Sequence, residues 1–143
     1  MSRSSTTELS PLARALARVG DRWTLLIVDA LLVGPARFGD LAETVTGIAP
    51  NTLSDRLRRL EAGGLLISQP YSHRPPRREY RLTGHGAELA GALRLLAAWG
   101  GRRGGEAAAP EHRACGTPLE ARWFCPTCDR PVREDEGPGL AFA

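Results

Sequence analysis

The stretch from Pro50 to Leu82 constrains the fold more than any other part of the chain. It opens PNTLSDRLRRLEAGG. Proline favours the first position of a helix and glycine its end, so Pro50 and Gly63-Gly64 bracket a helix over residues 50–62. Leu53, Leu57 and Leu60 recur at helical spacing and make one narrow apolar stripe. At about 100° per residue, the opposite side carries Asn51, Asp55, Arg58 and Arg59, flanked by Thr52 and Arg56. One side of this helix serves a core and the other is left polar. LLISQPYS then reads as a strand, HRPPRR cannot be helical because of its two prolines, and EYRL reads as a second strand. Together they predict a β-hairpin with a long, arginine-bearing tip.

Helices surround this unit. Ser10 caps and Pro11 opens a first helix, with Leu12, Ala15, Leu16 and Val19 at helical spacing and Gly20 at its close. Asp21 caps a second, RWTLLIVDALLVG, with Trp23, Leu26, Ile27, Ala30 and Leu31 on one face; Gly34-Pro35 ends it. A short third helix runs from about Phe38 to Val45. Thr83 caps a last helix, GHGAELAGALRLLAAWG, with Leu89, Leu93, Leu96, Ala97 and Gly100 as its apolar stripe. Trp23, Phe38 and Tyr80 read as core aromatics, and His73 and His85 as isolated surface residues. The fold class is mainly α with a small β-hairpin wing (α+β): a winged helix-turn-helix.

Charge narrows the partner. All 19 basic residues are arginine. Residues 1–104 hold 15 of them against 9 acidic residues, whereas residues 105–143 hold 4 against 7. A basic body points to an anionic partner, nucleic acid first. The first ten residues, MSRSSTTELS, lack the apolar core of a secretory leader. The longest apolar run, LLIVDALLV, is interrupted by Asp29 and falls short of the roughly 18 residues a membrane span needs. The expectation is a cytoplasmic protein with no membrane partner. No motif names a small-molecule effector.

A polar, arginine-bearing helix fits the major groove, where Arg pairs with guanine and Asn with adenine. Wing arginines pair with phosphate, which supplies affinity but little sequence information. Three runs of residues then identify a family. They are G-D-R-W-T with LL-V-G-P-x-R-F-G-D-L, then L-S-x-R-L-R-x-L-E-x-x-G-L, then P-P-R-x-E-Y-x-L-T-x-x-G. In this order and spacing, residues 10–100 resemble the HxlR family of bacterial winged helix-turn-helix regulators. The resemblance implies a homodimeric DNA-binding transcriptional regulator, by family leaning a repressor. Its first and last helices would form the dimer interface, and paired reading helices would enter successive major grooves of a pseudo-palindrome. Carried over by position, the reading helix is Pro50 to Ala62 and the wing Tyr71 to Arg78. Asn51, Thr52, Asp55 and Arg58 are expected at base edges; Arg56, Arg59, Arg74 and Arg77 are expected at phosphate. Arg78 and Arg81 can equally pair with Glu79 or Glu88. Members of the family often carry a cysteine before the proline that opens the first helix, and some sense oxidants or aldehydes there. Ser10 occupies that position here, so thiol sensing at this place is not available.

The tail holds a second pattern, H-R-A-C-G-T-P-L-E-A-R-W-F-C-P-T-C-D-R-P. His112 and Cys115 make one pair, Cys125 and Cys128 another, each with two residues between. Two such turns can close a tetrahedron around a structural Zn2+ ion, a small zinc-ribbon-like module with TPLEARWF as a short hairpin between them. Three alternatives stand beside it. Cys125 and Cys128 could be a redox dithiol, though no thioredoxin-like pattern surrounds them. The thiols could be unligated, though all three fall within 14 residues. His112 could be a bystander, leaving three thiolates and a water.

The organisation read from the sequence is a disordered start (1–9), a winged helix-turn-helix domain (10–104), a linker (105–111), the zinc-ribbon-like module (112–133) and a tail (134–143). An enzyme is not expected: Glu111, Glu120 and Asp129 near the cysteines form no motif, and there is no nucleophile elbow or phosphate loop. The competing reading is a zinc-ribbon adaptor that uses the winged helix for protein contacts.

Overall fold

The computed structural model describes residues 9–104 and 109–133. The expected tail 134–143, residues 105–108 of the expected linker and residues 1–8 of the expected disordered start lie outside the described residues. The chain divides into two units, Met1–Leu93 and Arg94–Ala143.

In the first unit, α1 (Pro11–Val19) is followed by α2 (Arg22–Leu32), β1 (Ala36–Arg37), α3 (Phe38–Thr44) and α4 (Pro50–Ala62). The wing strands β2 (Leu66–His73) and β3 (Pro76–Leu82) come next, then α5 (Gly84–Ala87) and the start of α6 (Ala90–Gly104). Local chemistry sets the boundaries. Ser10 Oγ accepts from Ala13 N–H at 3.1 Å, so the serine before Pro11 works as a helix cap. Asp21 accepts from the N–H groups of Trp23 and Thr24, both at 3.1 Å, and starts α2. Gly64, at φ +71°, turns the chain out of α4 in the left-handed region that favours glycine.

The core is aliphatic. Ile27 and Val28 of α2, Leu41 of α3, Leu53, Leu57 and Leu60 of α4, and Leu66 of β2 are all buried. Trp23, Phe38 and Tyr80 pack against this cluster from its edge, in line with their reading as core aromatics. The apolar stripe of α4 is therefore fully used, which fixes its polar side outward.

Three elements differ from the sequence reading. The wing's tip is short: His73 pairs with Pro76, so only Arg74 and Pro75 turn the hairpin, across a cis peptide. Pro76 is tolerated because it is the first residue of β3, and β1 reaches β3 only at Glu79 and Tyr80. The strand β1 itself, two residues long, carries no periodicity to read. The last helix is broken at Glu88 and Leu89. There Leu89 N–H bonds to Gly86 O, a three-residue step that tightens the turn. Along α1, only Val19 is buried; Leu12 and Leu16 stay exposed, as do Leu95 and Leu96 of α6. Among the described residues no helix is long and apolar enough to cross a membrane.

In the second unit two short turns stand out. An isolated bridge joins Glu111 to Pro118, and β4 (Phe124–Cys125) pairs with β5 (Arg130–Pro131). The hairpins thus enclose the His112/Cys115 and Cys125/Cys128 pairs, not the TPLEARWF stretch between them. The reason is the left-handed residue after Cys115 and after Cys128: Gly116 at φ +70° and Asp129 at φ 52°.

Candidate nucleic-acid interface and the cysteine turns

The outward side of α4 presents the residues read from its sequence. Asn51, Arg58 and Arg59 are exposed; Thr52, Asp55 and Arg56 are half-buried. The helix begins at Pro50 with Ala49 as N-cap, and no side chain caps it. Its first N–H groups are left for solvent or for an anion such as a DNA phosphate. Arg58 is held only loosely, with Nε 3.4 Å from Ser54 O one turn back. Its guanidinium is available.

Arg56 and Asp55 are more engaged. Arg56 Nε donates to Asp21 at 3.0 Å, and its NH1 group donates to Asp55 at 2.6 Å. Asp55 also pairs with Arg59 at 3.1 Å, one turn on. Asp21 therefore performs two tasks: it caps α2 and it grips the reading helix 35 residues away. Arg18 adds a second tie, donating to Gly63 O at 3.0 Å where the carbonyl end of α4 favours a cation. These contacts fix the middle and the C-terminal end of α4 relative to α1 and α2.

The wing is tied to α4 as well. Glu61 accepts from Ser68 N–H at 3.1 Å and from Ser68 Oγ at 2.6 Å, and Arg78 Nε donates to the same hydroxyl at 3.0 Å. Arg78 thus turns to Ser68 rather than to Glu79 or Glu88; Glu88 instead faces His85 at 3.4 Å. Arg74 and Arg77 are exposed at the wing tip.

One further arginine escaped the sequence reading. The ladder slips between Pro70 and Ser72, leaving Tyr71 as the extra residue of a β-bulge. Its ring lies 4.3 Å beneath the Arg37 guanidinium. Arg37, Tyr71, Arg77 and Arg78 line one shallow cleft between the wing and the start of α3. The available signal was position: Arg37 directly precedes Phe38 in the R-F-G-D run.

Two carboxylates in this framework titrate low. Burial works to raise the Asp21 pKa, but bonds from the Thr24 hydroxyl and Arg56 outweigh it and hold it below its ordinary value. The Ser68 hydroxyl, then its N–H and Arg78, hold Glu61 low against a smaller opposing effect of burial. A lowered folded-state pKa stabilises the fold above the unfolded carboxylate pKa, and this is lost as pH falls through the folded value. Acid titration of unfolding should therefore show stability falling below the ordinary carboxylate range. Asp21→Asn keeps a competent N-cap; it should flatten that fall and cost no more than ~1 kcal/mol at neutral pH, through the partly solvated pair with Arg56. An unchanged acid limb in Asp21→Asn and Glu61→Gln would contradict this assignment.

The tail residues occupy the second unit. His112 Nδ1 lies 3.3 Å from Cys115 Sγ. Cys125 ends β4, and Cys128 lies in the turn before β5. Among the described residues, no three of His, Cys, Asp or Glu gather as a metal-holding group.

Comparison with known proteins bears on the first unit above all. A family model described as HxlR-like helix-turn-helix matches residues 18–107. An uncharacterized HTH-type transcriptional regulator of Mycobacterium tuberculosis H37Rv is 42% identical over 136 residues, covering 89% of this chain and 85% of its own. Among solved structures, a protein described as a MarR-family transcriptional regulator from Porphyromonas gingivalis W83 superposes with a TM-score of 0.62. It is 31% identical, over 68% of this chain and 96% of its own. The HTH-type transcriptional regulator YtcD superposes with a TM-score of 0.63 at 32% identity, over 68% of this chain and 100% of its own.

Proposed function

This chain belongs to the HxlR-like helix-turn-helix family, and from that premise we propose that it regulates transcription by reading duplex DNA as a homodimer. The observation that carries the reading is the geometry of α4. Its leucine stripe is buried, its first turn has no side-chain cap, and Asn51, Arg58 and Arg59 face outward beside a wing that exposes Arg74 and Arg77. Asn51, Thr52, Asp55 and Arg58 meet base edges in the major groove; Arg59, Arg74 and Arg77 meet phosphate. Arg56 reaches phosphate only by leaving Asp21, so in the bound state it serves first to hold the helix. Arg37 is added to the phosphate set, because it shares the wing cleft with Arg77.

Two copies are needed for affinity and spacing. Leu12 and Leu16 of α1, with Leu95 and Leu96 of α6, are exposed in the single chain. Burying them against a second copy would remove a large apolar area from water. The paired reading helices would then enter major grooves about 34 Å apart. Occupancy of such an operator at a promoter excludes polymerase, which is repression.

Selection of sheared genomic DNA by the purified protein, followed by sequencing, tests the reading. The expected result is an enriched site with two-fold symmetry and half-sites one helical turn apart. No enrichment at low or moderate salt would overturn it. The wing makes a separate expectation. Arg74→Ala should weaken binding on every sequence alike and reduce the slope of log affinity against log salt by ~1. A loss confined to one base position would instead give Arg74 a reading role.

A further inference from the structure

The DNA-reading unit makes no use of the cysteine turns. Each turn has the same construction. A first ligand is followed by the second after two intervening residues, and the next residue adopts a left-handed conformation: Gly116 after Cys115 and Asp129 after Cys128. Backbone bonds hold both turns. In the first, the N–H groups of Cys115 and Gly116 both donate to His112 O, at 3.1 and 2.7 Å. In the second, Phe124 pairs with Pro131 and Cys125 with Arg130.

The sulfurs are held by local bonds as well. The Cys115 thiol donates to the Thr117 hydroxyl at 3.2 Å, and Cys125 Sγ accepts from the backbone N–H groups of Thr127 and Cys128. The 3.3 Å from His112 Nδ1 to Cys115 Sγ is close to the ~3.5 Å edge of a tetrahedron with ordinary Zn–N and Zn–S bonds.

A second observation is independent of the ligands. Among described residues 109–133 not one is buried; only Cys125 and Val132 are even half-buried. Leu119, Trp123 and Phe124 are exposed. Two ordered turns without an apolar core need another source of cohesion. In segments shorter than ~40 residues that source is usually a disulfide or a metal. No disulfide links the three cysteines.

We propose that His112, Cys115, Cys125 and Cys128, two pairs that do not gather into one metal-holding group in this structure, close together around a single zinc ion, which docks the two turns on one another. Three Zn–S bonds and one Zn–Nδ1 bond form, and the three thiol protons leave to solvent. The site carries a net charge of −1, from three thiolates and a neutral imidazole on a divalent ion. Three soft sulfurs and one imidazole select zinc over harder divalent ions, and a closed tetrahedron leaves no position for substrate. The nine residues from 116 to 124 can span roughly 30 Å when extended, so they allow the pairs to meet.

The test uses the full chain without a histidine tag, purified reduced and without chelator. Elemental analysis should find one zinc per chain. Exchange for cobalt should give the intense visible bands of tetrahedral Co2+ and near-ultraviolet thiolate-to-metal charge transfer. Cys125→Ser and Cys128→Ser should each abolish stoichiometric metal. His112→Ala should keep the three-thiolate charge transfer while weakening zinc at least about tenfold. Substoichiometric metal in the reduced chain, iron in place of zinc, or a six-coordinate cobalt spectrum would overturn the proposal. So would a Cys125–Cys128 disulfide that forms in preference to zinc binding, which is the redox-dithiol outcome. Unchanged zinc affinity in His112→Ala would overturn the four-ligand set. None of these readouts involves DNA, so they stand or fall apart from the regulatory reading.

Discussion

Under the proposed homodimeric reading of DNA, Arg58→Ala is expected to weaken operator binding by at least about 30-fold, because each subunit then gives up a base pairing worth ~1–3 kcal/mol. The loss should fall on one base position in each half-site, and discrimination there should relax. The structure makes this a clean experiment. Arg58 is exposed and held only by a 3.4 Å approach to Ser54 O. Truncation should therefore leave stability within ~0.5 kcal/mol of the parent. Arg56→Ala is the contrasting case. It breaks the bond to Asp21 and one of the two bonds to Asp55. Both partners are substantially solvated, so the cost to the fold should stay below ~1 kcal/mol. Any loss of DNA affinity in Arg56→Ala should then be shared by all sequences, since the whole helix is loosened. Anisotropy titrations at fixed salt on the selected operator and single-base variants separate the two patterns. A uniform loss in Arg58→Ala would move that residue to the phosphate set.

The same arginines mark how far the sequence is legible. The reading helix is legible to the residue, because Pro50 and Gly63 are strong local signals and the leucines repeat at one period. Its outward face follows from the same arithmetic. What the sequence does not display is which arginine on that face is free. Arg56, Arg58 and Arg59 look alike in sequence; Asp21, 35 residues upstream, makes Arg56 different. The second wing strand runs longer than the sequence reading has it, from Pro76 rather than Glu79, because proline ordinarily interrupts a ladder. Pro76 begins a strand at a point where β1 does not need its N–H, and Pro70 lies on edge strand β2, whose only neighbour is β3. Beyond its position before Phe38, nothing in the sequence displays that Arg37 belongs beside the wing, because that depends on a bulge that brings Tyr71 under it. In the tail, the spacing of the His112/Cys115 and Cys125/Cys128 pairs is plain in the sequence, whereas the hairpins around each pair depend on the left-handed residues Gly116 and Asp129.

The broken last helix supplies the second large effect. Gly86→Ala is expected to destabilise the fold by ~1–3 kcal/mol or more, the range for overpacking a tight contact. A Cβ built on Gly86 would lie 2.0 Å from Leu65 O and 3.1 Å from Leu82 Cδ2. The backbone carbonyl at Leu65, the closer of the two, is not free to move. Leu65 O accepts from Thr83 N–H at 3.0 Å, and the Thr83 hydroxyl donates to Gly64 O at 2.7 Å while capping α5 through Gly86 N–H at 3.1 Å. This clasp holds the chain where it leaves the reading helix and enters the wing. Displacing α5 from it should shift β2 and weaken DNA binding beyond the loss of stability alone. Gly84, two residues earlier in the same short helix, is the control: a Cβ there meets nothing within 4 Å. Gly84→Ala should be neutral or stabilising by up to ~1 kcal/mol, because alanine restricts the unfolded chain. Urea unfolding of the two variants therefore checks the sign as well as the size. Equal stability of Gly86→Ala and Gly84→Ala would mean that the backbone at Leu65 yields, and the clasp would lose its role in joining the wing to α4.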